Sequence, residues 1–263
     1  MNLVVFGDSF VEGYTQAGPS EKGMCDCLRD ILGIEVENIG QRSNGTVAIS
    51  YDVLTYLRTR DVKNKIFLIV WSEWDRQYII DTPNDMDSFF HVRGCQKKSS
   101  PFREEELNSD QIKRWQLELA YNGLCNALRE AGVPFLMTSS QCNQMFTGRR
   151  VIGMMRNSEG STRISFDKRP FKFIYNEDKI KEHWIEAGKP NNTLLDIITD
   201  NWLKDYYPGE EIYAIKLRNI LNKIDQYDKL TPCIHPTVDG NKLIATTLAP
   251  YIRRLITNVT TGI

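Results

Sequence analysis

Long hydrophobic runs are missing. The longest useful one, Ile66 to Trp71, is six residues, far short of the about 18 that a membrane span needs. An excess of either charge is missing as well. Thirty-three Lys and Arg face 34 Asp and Glu, for a net charge of −1, which removes the electrostatic reason to expect nonspecific nucleic-acid binding. No basic leader or cleavage-type segment precedes the first strand pattern. Met1-Asn2-Leu3 pass straight into Val4-Val5-Phe6, so a soluble, cytoplasmic protein is expected. Paired Cys-x-x-Cys motifs are absent. Cys25-Asp26-Cys27 is too tight for an ordinary zinc pair and lies within a helical pattern. All six cysteines (Cys25, Cys27, Cys95, Cys125, Cys142 and Cys233) are therefore expected to be buried, reduced thiols with no metal. There is no internal repeat and no low-complexity tract.

What is present belongs to a globular chain. Of 263 residues, 41% are hydrophobic, and the 17 glycines bring the total near the apolar usage of folded domains. That argues against disorder. Residues 3–6 read as a short buried strand, ended by Gly7-Asp8-Ser9. Met24, Cys27, Leu28, Ile31 and Leu32 fall on one helical face. Residues 34–39 alternate as a strand, and a loop with Gly and Asn follows at 40–46. Ile49, Val53, Tyr56 and Leu57 mark a second helix. Residues 65–71 are apolar almost throughout, as a strand in a sheet covered on both faces must be. Residues 109–131 form a helix with Ser109 at the N-cap and Gly132 at the C-cap, and 133–137 a fourth strand. Helices are also expected over 178–187, 193–206, 210–226 and 237–257, the last kinked by Pro250.

Strand and helix alternate, which predicts a parallel sheet with crossover helices in one α/β domain over 1–263. Residues 139–176 lack a clean period and are rich in Arg, Gly and Ser. They open an expected insertion or lid that extends to about 210.

Open α/β sheets bind ligands beyond the carboxyl ends of their strands. Three loops emerge there: 7–13, 40–46 and 71–76. Ser9 lies in the first, between a strand and a helix, where a hydroxyl can be presented and where backbone N–H groups favour an anion. Serine is a weak nucleophile until a base takes its proton. His235, in Pro232-Cys-Ile-His-Pro236 just before the last helix, is the best base. His183 reads as a surface side chain of a charged helix, and His91 falls in a loop.

Val4-Val-Phe-Gly7-Asp8-Ser9-Phe10-Val-Glu-Gly13-Tyr14 resembles the opening block of the SGNH (GDSL) hydrolases. His235-Pro236-x-x-x-Gly240-x-x-x-Ile244-Ala245 resembles their closing block and occupies the matching place near the C-terminus. The resemblance covers residues 1–138 and 228–257. It implies a flavodoxin-like three-layer α/β/α sandwich and ester hydrolysis through an acyl-enzyme, with no metal or organic cofactor. Ser9 would be the nucleophile and His235 the base. The family's oxyanion donors are the nucleophile's own N–H, a glycine N–H from a second block and an asparagine side chain from a third. Asp8, inside the opening block, joins them as a candidate substrate-binding residue.

Three departures from the family pattern follow. The second block, Asn38-Ile-Gly40-Gln-Arg-Ser-Asn44-Gly45, offers two glycines. Gly40, directly after the strand, is slightly favoured over Gly45. The third block reads Val70-Trp-Ser-Glu-Trp-Asp-Arg76, with no asparagine. An ionised Glu73 cannot donate to an oxyanion; Ser72 or the Asn44 amide could replace the donor, and Arg76 could neutralise charge. The Trp-Ser-x-x-x-Arg form is similar to a branch seen in phage-encoded members. Where the family places an acid two or three residues before its histidine stand Cys233 and Pro232. Asp228 completes a triad only if its loop folds back; otherwise a Ser–His dyad remains. The expected substrate is a carbohydrate or small-metabolite ester. The rival expectation is a catalytically weak or inactive protein on the same fold that binds a carbohydrate, an acylated small molecule or a protein partner. Trp71 and Trp74 read as core or rim packing before sugar-stacking platforms. Trp115, Trp184 and Trp202 read as helix-packing residues.

Overall fold

A computed structural model of the chain describes residues 1–15, 18–19, 21–42, 44–72, 77–80, 89–92, 110–140, 150–156, 162–167, 177–185, 193–199, 227–231 and 235–261. Four strands form a fully parallel sheet: β1 (Asn2–Gly7), β4 (Val36–Gly40), β5 (Lys65–Trp71) and β8 (Phe135–Ser139), in the order β4-β1-β5-β8. In β5 the side chains divide between two cores. Ile66, Leu68 and Val70 face one core; Phe67, Ile69 and Trp71 face the other. The continuous apolar run is thus a period of two read on two buried faces.

Helix α2 (Met24–Leu32) and the C-terminal helix α7 (Val238–Thr261) cover one face with Met24, Leu28, Ile244, Leu248 and Ile252. Helix α3 (Thr46–Thr59) and helix α4 (Asp110–Glu130) cover the other with Ile49, Val53, Tyr121, Leu124 and Leu128. The result is the expected three-layer α/β/α arrangement. Local chemistry fixes the helix ends. The Asp26 carboxylate accepts the Gly23 N–H at the start of α2 (3.1 Å). After α4, Gly132 takes φ +65° and donates to the Arg129 carbonyl. Helix α7 continues through Pro250.

Among the described residues three short antiparallel pairs lie outside the sheet. They are β2 (Tyr14–Thr15) with β3 (Gly18–Pro19), β6 (Gln77–Ile80) with β7 (Phe89–Val92), and β9 (Arg150–Arg156) with β10 (Thr162–Asp167). The last lies within 139–176, the segment without a clean sequence period. A register shift between Ser165 and Phe166 breaks the alternation that would have marked it. His91 falls in β7 rather than in a loop. The expected helix over 178–187 is shorter, α5 (Glu177–Lys181). After it the chain runs along the free edge of β8. The Met137 N–H donates to the His183 carbonyl (2.7 Å), and the Ile185 N–H to the Met137 carbonyl (2.8 Å). A further bridge joins Ser139 to Thr193, ahead of α6 (194–199). An open strand edge is thereby covered.

This pairing also corrects the placement of His183. Its ring stacks on Phe135 (4.0 Å between centroids), and its Nε2 lies 3.1 Å from Arg129 Nη2. Burial, with Arg129 adding to it, lowers its pKa. Burial pushes the thiols of Cys25 and Cys125 up, to about 12 and about 11; with Cys27 they are free and buried. Cys95, Cys142 and Cys233, the helix expected over 210–226, and Trp74 and Trp202 lie outside the described residues. Trp71 and Trp184 are core residues on either side of Tyr121. Among the described residues no helix is long and apolar enough to cross a membrane, and no cluster of ligating side chains could hold a metal.

Candidate active site

Strand order reverses at β1. The chain moves to β4 on one side, then crosses back to β5 on the other. The crevice at such a switch point lies beyond the carboxyl end of the central strand, and there β1 gives way to Asp8 and Ser9. Asp8 caps α1 (Ser9–Glu12), a single turn. Its Oδ1 accepts the Phe10 N–H (3.0 Å), and its carbonyl accepts from Val11 and Glu12 (3.0 Å each). Gly13 closes the turn at φ +79°, a conformation that favours glycine. Gly40 lets the turn lie against β4: a Cβ there would come 2.5 Å from the Glu12 nitrogen.

His235 arrives from the other end of the chain on a loop held by its own backbone. Its N–H donates to Thr231 Oγ1 (3.1 Å), and its carbonyl accepts from the Thr231 N–H (2.9 Å). Thr237 then starts α7. Its Oγ1 accepts from the Gly240 N–H (3.2 Å) and donates to the Asp228 carbonyl. Gly240 is required by packing, since a Cβ there would meet the Lys229 carbonyl oxygen at 2.1 Å. The consequence is one contact across 226 residues of sequence: His235 Nε2 lies 2.7 Å from Ser9 Oγ. The imidazole also lies 5.6 Å from the Phe10 ring. Ser9 itself is 6% exposed.

The other candidates are placed differently. The Asp228 carboxylate is 69% exposed and pairs with Lys229 Nζ (3.2 Å). It makes no hydrogen bond to His235 among the described residues, which corrects its reading as the triad acid. The loop folds back through the Asp228 main chain, so the side chain is directed outward. Asp8 is fully buried and cannot touch substrate as placed, which corrects its substrate-binding reading. Its Oδ2 accepts from Ser72 Oγ (2.9 Å) and from Ser140 Oγ (2.8 Å). Ser72 therefore spends its proton on Asp8 and is not a replacement oxyanion donor. The Gly40 N–H already donates to Asn38 Oδ1 (2.8 Å), which corrects the preference for Gly40 as a donor; Gly45 is the N-cap of α3. The Asn44 amide donates to Asp52 Oδ2 (2.8 Å). Glu73 and Arg76 lie outside the described residues. Ser140 and Asp52 were not among the sequence candidates. Ser140 had a readable signal, a serine directly after a strand at the same sheet edge as Ser9 and Ser72.

Burial raises the Asp52 carboxyl to about 6, against the opposing pull of the Asn44 bond. A carboxyl raised on folding favours the native state while it is protonated. That advantage is lost as pH rises from the ordinary value near 3.8 through about 6. Asp52→Asn is therefore expected to be more stable than the wild type at pH 7.5, by on the order of 1 kcal/mol after allowance for solvent screening. Thermal melts between pH 4 and pH 8 test this. The gap in Tm should open between pH 4 and 6 and stay level above; a gap independent of pH overturns the assignment.

No protein-family model and no curated protein sequence matches the chain. Among solved structures it is similar to a member of the lipolytic protein G-D-S-L family from Veillonella parvula, at 13% identity over 97% of this chain and 99% of that one, with a TM-score of 0.40. It is similar to the lipase/acylhydrolase from Enterococcus faecalis at 15% identity over 95% and 94%, TM-score 0.39. It is also similar to AlinE4, an SGNH-hydrolase family esterase, at 14% identity over 96% and 95%, TM-score 0.35.

Proposed function

We propose that this chain is an SGNH-type serine ester hydrolase working through a Ser9–His235 dyad. The observation that carries the reading is the 2.7 Å contact between His235 Nε2 and Ser9 Oγ, within the reach a general base needs. Ser9 Oγ attacks the acyl carbon of an ester as His235 Nε2 takes its proton. The tetrahedral intermediate collapses when the imidazolium returns that proton to the leaving alkoxide, which departs as an alcohol. Water, deprotonated by His235, then attacks the acyl-enzyme. The carboxylic acid leaves, and the proton on His235 goes back to Ser9 Oγ.

The tetrahedral oxyanion needs donors fixed in advance, each worth about 3 kcal/mol in the transition state. In this reading one of them is the Ser9 N–H, while the Gly40 N–H and the Ser72 hydroxyl are already committed to Asn38 and Asp8. The substrate is an ester of a carbohydrate or a small metabolite.

A fluorophosphonate probe, which phosphonylates an activated serine, tests the reading together with p-nitrophenyl esters from acetate to octanoate. The wild type should be labelled and should turn over at least one ester; Ser9→Ala, with an unchanged circular dichroism spectrum, should do neither. Labelling that survives Ser9→Ala, or a wild type that is neither labelled nor active, overturns it.

A further inference from the structure

The Asp8 carboxylate stands beside the nucleophile yet is fully buried, and the mechanism above gives it nothing to do. Its hydrogen bonds join three strands. Asp8 follows β1, Ser72 follows β5 and Ser140 follows β8, each by a single residue, and these strands are neighbours in the order β1-β5-β8. Ser72 and Ser140 lie 64 and 132 residues away in sequence. Ser140 is itself held, since its N–H donates to the Trp71 carbonyl (2.8 Å) and its carbonyl accepts from Leu195 (2.9 Å). On Asp8 itself, Oδ1 and the main-chain carbonyl accept the three N–H groups of Phe10, Val11 and Glu12. Asp8 is thus bonded both to the turn that carries Ser9 and to the residues that follow β5 and β8.

We infer that Asp8 is a positioning residue for the hydrolysis: with Ser72 and Ser140 it references the Ser9-bearing turn to the sheet and so aims Ser9 Oγ at His235. The imidazole is set independently, by the loop that Thr231 clamps. A dyad assembled from two separately held parts depends on both holds, and a displacement of about 1 Å can cost about a hundredfold in rate. A pair of apolar side chains could fill this space, but they would leave the Phe10 N–H without its acceptor. An asparagine at position 8 keeps the shape and one oxygen, yet cannot accept from Phe10 N–H on one atom and from two hydroxyls on the other.

The inference rests on Ser9 being the nucleophile, and the test separates the two. The rate of fluorophosphonate labelling, and kcat and KM on the best p-nitrophenyl ester, are measured for the wild type, Asp8→Asn, Ser72→Ala, Ser140→Ala and Asp8→Asn/Ser140→Ala. All are assayed well below their Tm, with near-ultraviolet circular dichroism as the check on packing. The expected result is a fall in kcat of about a hundredfold for Asp8→Asn and about tenfold for Ser140→Ala, with KM within about twofold and the double variant no slower than Asp8→Asn. A purely structural role would lower Tm and leave kcat of the folded fraction unchanged. That result, additive losses, or a rise in KM in place of the fall in kcat overturns the inference while leaving Ser9 as the nucleophile. If Asp8→Asn does not fold, wild-type kcat in both Ser72→Ala and Ser140→Ala overturns it equally. A wild type that is never labelled and never turns over overturns the Ser9 reading, and this inference with it.

Discussion

His235→Ala is expected to lower kcat/KM by on the order of 10⁶-fold, while Asp228→Ala leaves it within about twofold. The first loss is large because serine at its own pKa is a poor nucleophile, and nucleophile and base act as one unit. The second is small because the Asp228 carboxylate points to solvent and pairs with Lys229. Steady-state kinetics on one active ester, with Tm recorded for each variant, decides it. Equal losses from the two substitutions would mean that the 227–231 loop rearranges in the working enzyme to bring the carboxylate to the imidazole.

Trp71→Ala is expected to destabilise the fold by about 4 kcal/mol, the scale of removing a buried large aromatic. At about 2–4 °C per kcal/mol for a chain of this size, Tm falls by roughly 10 °C. The indole is fully buried at the end of β5 and meets Tyr121 edge-on, 4.4 Å between centroids. Trp71→Phe is expected to stay within about 1 kcal/mol. The Trp71 Nε1–H is buried without a hydrogen-bond partner among the described residues, so losing it removes a polar group whose burial is not compensated. Calorimetry on both variants checks the pair. A Trp71→Ala protein that melts like the wild type would return Trp71 to the surface, where the stacking role weighed for it becomes open again.

Elements built from short-range pattern were legible to within a few residues. The strand at 65–71 agrees at both ends with β5, and the helices beginning near Met24, Ile49 and 109 are α2, α3 and α4. Each announces itself by apolar spacing and by a glycine or acid at its end. The place of His183 is not legible in the sequence because it depends on an edge pairing with Met137, and no periodicity in 177–185 encodes a partner 46 residues upstream. The direction of the Asp228 side chain was open in the sequence for a related reason. The loop does fold back, but it does so through main-chain bonds to Thr237, and those turn the carboxylate away.

By itself the sequence determined the α/β layering, the strand that leads to Ser9 and the residue types able to make a nucleophile and a base, because alternation, helical spacing and side-chain chemistry are local properties of the chain. Only the tertiary structure decided which hydroxyl meets which ring and which donors are already taken: His235 beside Ser9, and Ser72 and Ser140 bound to Asp8 rather than open to substrate. Hydrogen bonds between residues 64 to 226 positions apart depend on how strands are ordered in the sheet, and that order comes from burying both faces at once, a condition no single segment carries.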